Sequence, residues 1–488
     1  MPLFKDLAVE LIQHIARHLR LEEQGALRSV CSYFQLAVDP IYFELVLIAS
    51  NRVYTPETQA FVAELSTNTD NPWAKHARGV AIAFGTPTDE YWNEAATARR
   101  RWDVEIEENP DPTEEQVGAV SAVAEGLKNL PRVTFARLSL RSTDARWFCE
   151  ALMGALVGFP CLESVDLRLG RVIVVLPKLS NLTILKILCP QPATWDYDPD
   201  TEDLKPGVPV SQQVAGIIER CPQLRVLHLT DHRWDDVIWQ TLLRLKLQLV
   251  GLVVNIAANS WNMTSNRVPR ALLEYLGSYS GLQTLALDIR GNDQMEDDAC
   301  IFFEEVLPRH AASLQTLRCV PALESAWSVQ LGNAQVLSTL ENLTRLEMSI
   351  DAQHLDTPDD KTNAFHLLVN SIARIPKLTG LALHSTATRT PHFRGFERNP
   401  LFAGSIDAAL DQYLPGFPQI TFASNDANGG SRAAWDIIDY AMELSPERLE
   451  RALPPEVHTS EQDLEDRERA YISAYRQCIW DVTIMRKS

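Results

Sequence analysis

From residue 135 onward, apolar residues at relative positions 1, 4 and 6 recur nine times. They stand at Phe135/Leu138/Leu140, Leu162/Val165/Leu167, Leu182/Leu185/Ile187, Leu224/Leu227/Leu229 and Leu249/Leu252/Val254. They continue at Leu282/Leu285/Leu287, Leu314/Leu317/Cys319, Leu343/Leu346/Met348 and Leu378/Leu381/Leu383. Positions 4 and 6 share one face of a strand, because side chains alternate with a period of two. Several copies follow an apolar helical stretch ending in proline, as in IIERCPQLRVLHL (217–229) and SIARIPKLTGLAL (371–383). A strand and helix of this size leave one side unburied, so copies must stack and share a core.

The pattern resembles leucine-rich repeats, which implies a strand and a helix per unit stacked into a horseshoe. Successive fourth positions are 27, 20, 42, 25, 33, 32, 29 and 35 residues apart. The asparagine or cysteine usual at position 9 is replaced by Thr143, Gly170, His232, Arg290 and Thr386. Varied turns and full convex-side helices are therefore expected. Insertions fall at Gln191 to Ser211, Asp351 to Thr362 and Thr386 to Pro400. A strand is expected at Gln419 to Ser424, and helices over Ser431–Leu444 and Ser460–Trp480 would cap the open end. The repeats are expected to fold without the first 50 or so residues.

The segment Asp6 to Leu45 is a different element. Leu7, Leu11, Ile12, Ile15 and Leu19 fall on one arc of a helix, and Glu10, Gln13, His14, Arg17 and His18 on the other. Further apolar sets are Leu27, Val30, Cys31, Phe34 and Leu36, then Ile41, Tyr42 and Phe43. Three short helices bury little surface alone, so such a segment docks on something. The run Leu7-Ala8-Val9-Glu10-Leu11-Ile12, followed by Ala26-Leu27-Arg28-Ser29-Val30-Cys31-Ser32-Tyr33-Phe34, resembles the F-box. It departs from that family at Ala8, where proline is usual, and at Phe43, where tryptophan is frequent. By that resemblance Leu7, Ala8, Leu11, Ile12, Ile15, Leu19, Leu27, Val30 and Cys31 would face a Skp-family linker or form the small core behind that surface.

Composition narrows the function classes. A formal charge of −19 argues against general nucleic-acid or anionic-membrane binding. Arg99-Arg100-Arg101 is followed by Asp103, Glu105, Glu107 and Glu108, as on a solvated helix face of mixed charge. Eight cysteines without paired spacing read as reduced thiols. No phosphate loop, HExxH, GxSxG or dinucleotide fingerprint is present. His14 and His18 stand four apart, the edge of a metal site without a third ligand nearby, and Asp231-His232 with Asp235-Asp236 reads as a charged turn.

The expected architecture is α/β: an F-box (1–45), a connecting or first-repeat region (46–130), a leucine-rich-repeat solenoid (131–426) and a helical carboxy-terminal cap (427–488). The resemblance implies a non-catalytic adaptor that binds the Skp linker within a cullin complex, in cytoplasm or nucleus, and presents a target protein for ubiquitination. It needs no cofactor or metal, and neither nucleic acid nor membrane. An interaction scaffold outside a ligase and an enzyme on a degenerate α/β fold are the alternatives. The concave face is expected to hold the target through Arg137, Arg141, Arg168, Lys186, Leu188, His228 and Val253. Its arginines suit an acidic or phosphorylated segment beside an apolar anchor, or else pair with acids of the loop from Asp196 to Asp203.

Overall fold

The computed structural model describes residues 7–49, 53–68, 70–83, 113–140, 146–169, 175–189, 210–232, 234–256, 268–289, 296–321, 325–350, 363–385, 420–424 and 479–486. Two compact units divide the chain, Met1–His232 and Arg233–Ser488.

One carbonyl per repeat sets the register of the first unit. Glu44 O accepts the N–H groups of Arg78 and Gly79, and Arg78 O those of Thr134 and Phe135. Thr134 O then accepts from Glu163 and Ser164, Glu163 O from Thr183 and Ile184, and Thr183 O from Arg225 and Val226, all at 2.8 to 3.1 Å. Each carbonyl stands at position 2 of its repeat and hands the chain into the next strand. The strands are β1 (Leu45–Ala49), β2 (Gly79–Ala83), β3 (Phe135–Ser139), β4 (Ser164–Arg168), β5 (Ile184–Leu188) and β6 (Val226–His232). They pair in chain order, each parallel to the last. In the second unit Val250, Gln283, Gln315 and Thr344 play the same backbone role. There β7 (Gly251–Ile256), β8 (Thr284–Ile289), β9 (Thr316–Pro321), β10 (Arg345–Ile350) and β11 (Gly380–Ser385) are also parallel in chain order. This is a leucine-rich-repeat-like α/β solenoid.

Positions 1, 4 and 6 supply the core. Leu182, Leu185 and Ile187, or Leu282, Leu285 and Leu287, are buried in the same way in each copy. Helices lie between strands: α4 (Pro56–Thr67), α5 (Pro72–His76), α6 (Glu114–Leu127), α7 (Arg146–Leu156) and α8 (Val210–Glu219) in the first unit. The second has α9 (Asp236–Leu245), α10 (Arg270–Gly277), α11 (Glu296–Ile301), α12 (Leu331–Leu337) and α13 (Ala364–Ile372). Their inner faces bury residues at helical spacing, such as Val214, Ile217 and Ile218 on α8 or Leu272, Leu273 and Leu276 on α10. Local chemistry marks their starts. Thr113 and Gln116 form a reciprocal capping box on α6, and Asn363 accepts from His366 N–H on α13. The short connection from β4 to β5 has no helix among its described residues; Leu176 and Leu179 fill that place in the core.

Three expectations are corrected. The region read as connecting or first-repeat holds two copies, and the first starts inside the segment assigned to the F-box: Phe43, Val46 and Ile48, then Ala77, Val80 and Ile82, stand at positions 1, 4 and 6, all buried. The copy read as Phe135/Leu138/Leu140 is displaced by two residues. Ala136 pairs with Val165 and Leu138 with Leu167, so the true set is Val133/Ala136/Leu138. The helix expected to run through Trp480 is replaced at its end by β13 (Ile479–Arg486), antiparallel both to β11 and to β12 (Ile420–Ser424). Its sequence IWDVTIMR is rich in β-branched and apolar residues, which favour a strand. Residues 425–478, the rest of the expected cap, lie outside the described residues, as do nearly all of the three insertions.

Because β1 is part of the sheet, a fragment starting at residue 50 would lose Phe43, Val46 and Ile48, each buried side chain contributing about 1.5–3 kcal/mol. It would also bare the edge of β2. That fragment is expected to melt far below the full chain or to aggregate. Equal melting temperatures by circular dichroism would contradict the placement of β1.

Candidate binding surfaces

The amino-terminal helices, α1 (Val9–Arg17), α2 (Leu21–Arg28) and α3 (Ser32–Tyr42), share a small core of Ile12, Ala16, Phe34, Ala37 and Val38. Leu7, Val9, Leu27 and Tyr33 pack against it. Tyr33 Oη donates to Leu7 O at 2.7 Å, and Gln24 Nε2 donates to the carbonyls of Ala16 and Leu19. The start of α1 has Ala8 in extended backbone at φ −61°, an angle proline also adopts, and Glu10 in the first turn.

α1 carries a second apolar stripe beside the buried one. Leu11 and Ile15, one turn apart, are 53% and 45% exposed, and Val30 and Leu36 are 65% and 72% exposed. Ala8 and Cys31 are exposed as well, and Leu19 half-buried. The residues singled out from the sequence thus separate into two roles. Ile12, Leu7 and Leu27 hold the helices together, whereas Ala8, Leu11, Ile15, Val30 and Cys31 face outward. His14 and His18 are exposed with ring centroids 4.9 Å apart, and no group of three or more metal-ligating side chains occurs among the described residues.

These helices join the repeats through an aromatic cluster. Phe43 closes α3 and is also position 1 of the first repeat; its ring meets Trp73 edge-on at 4.9 Å, and Trp73 meets Phe61 at 5.9 Å. Arg28 lies 4.8 Å over the Phe43 ring while its guanidinium pairs with Asp39.

The odd positions of the first unit form a second surface. Register places Arg137, Asp166, Lys186 and His228 in one row at position 5 across β3 to β6. Arg168 and Leu188 are level at position 7. Arg137 Nε donates to Asp166 Oδ2 at 2.8 Å, and Arg168 Nε stands 3.6 Å from the same oxygen. The two rows thus bring together Arg137, Arg168, Lys186, Leu188 and His228 on one face. Arg141 lies outside the described residues, and Val253 belongs to the second unit, where it is buried on β7.

Burial is the main reason that the His228 imidazole is pushed down to about 4, with Lys186 adding to it and Asp166 opposing. His310, buried in the second unit between Leu276 O and Leu282 N–H, is likewise lowered, first by burial. Unfolded histidines take up a proton near pH 6.5, so below that pH the unfolded chain binds more protons. Stability is therefore expected to be full above about pH 6.5 and to fall as pH drops toward 4. His228→Gln should flatten that fall in urea melts at stepped pH; an unchanged slope would contradict the burial of a neutral ring.

Sequence reading missed a cluster on the odd face of the second unit. Arg318 Nε and Nη2 donate to Asp288 Oδ1 and Oδ2 at 2.9 and 3.1 Å. Arg318 Nη1 stands 2.9 Å from Glu347 Oε1, which His384 Nε2 also reaches at 2.6 Å. Burial would push Glu347 up, but the His384 hydrogen bond and the Arg318 charge outweigh it and hold the carboxyl below its usual range. Glu347 Oε2 is buried without a hydrogen-bond partner among the described residues. The signal was available, since Asp288, Arg318, Glu347 and His384 all stand at odd positions of their repeats.

No family model matches the chain, and no curated protein does. Among solved structures it is similar to the leucine-rich repeat-containing protein LegL7 from Legionella pneumophila. That alignment covers 77% of this chain and 94% of the other at 10% identity and a TM-score of 0.31.

Proposed function

We propose that the chain is a non-catalytic adaptor of a cullin-type ubiquitin ligase. Its amino-terminal helices dock on a Skp-family linker, and its repeats hold a target protein in the cytoplasm or nucleus. The observation that carries this reading is the exposed stripe of Leu11 and Ile15 on a helix whose Ile12 and Ala16 are already buried. Aliphatic side chains left in water beside a finished core are suited to a partner's groove. The F-box resemblance of the same residues supplies the identity of that partner. The joint of Phe43, Trp73 and Arg28 supports the second half of the proposal, because an adaptor must hold its docking end and its recognising end in fixed relation.

A scaffold that binds partners through the repeats outside any ligase is the second reading, and the parallel repeats alone favour it equally. Purification of the tagged full chain from cells separates the two. Linker together with cullin supports the ligase adaptor, and linker alone supports the scaffold. No described helix is long and apolar enough to cross a membrane.

A further inference from the structure

The two odd-position faces differ in how completely they use their charge. In the second unit Arg318 is shared between Asp288 and Glu347, so its charge is answered twice. In the first unit Arg137, Arg168 and Lys186 face a single acid among the described residues, Asp166, and that acid is buried beneath the two arginines. Lys186 has no ion pair among the described residues. Beside these cations, Ile184, Leu188 and Val226 are half-buried on the same face, with Ile184 level with Val226 and Leu188 level with Arg168. On a chain of net charge −19, an excess of cations over acids beside aliphatic side chains makes this face one that does not repel an anionic apolar segment.

We propose that the face built by β3 to β6 docks an acidic segment of a target protein, its carboxylates against Lys186 and Arg168 and an apolar side chain against Ile184, Leu188 and Val226. Arginine's planar fork and lysine's point charge both bind carboxylates, and the aliphatic floor adds the burial that an exposed ion pair lacks. This deepens the adaptor reading and rests on it only for the word target; the face would bind such a segment whether or not a linker sits at the other end.

The test uses the full chain and a fluorescein-labelled peptide, Gly-Ser-Glu-Glu-Leu-Glu-Glu-Leu-Ser-Gly, with glutamine replacing every glutamate in the control. Fluorescence anisotropy should show the acidic peptide binding about tenfold more tightly than the control, or better. Raising salt from about 0.05 to 0.5 M should weaken it steeply. Lys186→Glu should cost at least about tenfold with an unchanged melting temperature, and Arg168→Gln should weaken binding in the same direction. Leu11→Asp should leave peptide binding intact, so failure here and failure of linker docking are separate results. Equal binding of the two peptides, no binding of either, or full binding by Lys186→Glu would overturn the proposal. So would binding that appears only when Asp196, Asp198, Asp200, Glu202 and Asp203 are neutralised, since the face would then be served from within the chain.

Discussion

Arg318→Ala is expected to destabilise the protein by about 3–5 kcal/mol, because it removes the guanidinium that Asp288 and Glu347 share and leaves two carboxylates close together in a buried cluster. That is a large share of the 5–15 kcal/mol or so that holds a typical domain. Glu347 is 1% exposed and one of its oxygens already has no partner among the described residues, so water does not replace the guanidinium. Arg318→Lys should recover part of the loss, since an ammonium restores the charge but not the fork that meets both Asp288 oxygens. In the native protein Glu347 is held below its ordinary pKa, so its contribution is present above the unfolded carboxylate value and fades as pH falls. The variant lacks that contribution, and its deficit against the native protein should therefore shrink on acidification. Urea denaturation at neutral pH and near pH 4 measures both effects. A loss under about 1 kcal/mol, or a deficit that grows in acid, would contradict the cluster as described.

The second large effect is on association. Leu11→Asp combined with Ile15→Asp is expected to abolish capture of a Skp-family linker. Each substitution removes about 1.5–3 kcal/mol of apolar burial and adds the cost of sinking a carboxylate into a partner's groove. Both side chains are roughly half exposed in the free chain, so the variant should fold with little change in melting temperature. Ile12→Asp is the contrast, because Ile12 is 1% exposed and belongs to the shared core of the three helices. It should lose linker binding and local structure together. His14→Ala, on the polar side of α1, should change neither. Linker capture by a folded double variant would remove the docking stripe from the account.

Much of the architecture was legible because the signal is periodic. Positions 4 and 6 of Leu185/Ile187 or Leu285/Leu287 repeat the same strand face, and the structure buries them as pairs. Phase was harder. Because side chains alternate every two residues, reading Phe135 for Val133 at position 1 preserves which face Arg137 occupies but changes its row. Sequence alone set Arg137 opposite Ser164; the backbone ladder sets it opposite Asp166, and the ion pair follows from that shift. The region of the first two strands was read only as connecting or first-repeat, because Val46/Ile48 and Val80/Ile82 replace leucine and the third helix runs up to Phe43, position 1 of the first of them. β13 escaped because its partner β11 lies almost a hundred residues earlier, and local pattern does not report a pairing of that range. At the amino terminus the apolar arc was visible as one stripe; only packing divides it into Ile12 inside and Leu11 with Ile15 outside.

The central proposal, that this chain is an adaptor and not a free-standing scaffold, is tested most directly by mixing the purified chain with a purified Skp-family linker and a cullin amino-terminal domain. Size-exclusion chromatography with light scattering should show a complex of all three in equal proportion. The linker should be indispensable to it, and the Leu11→Asp, Ile15→Asp protein should elute alone. If the native chain elutes alone while its circular dichroism and melting show it folded, the account is contradicted.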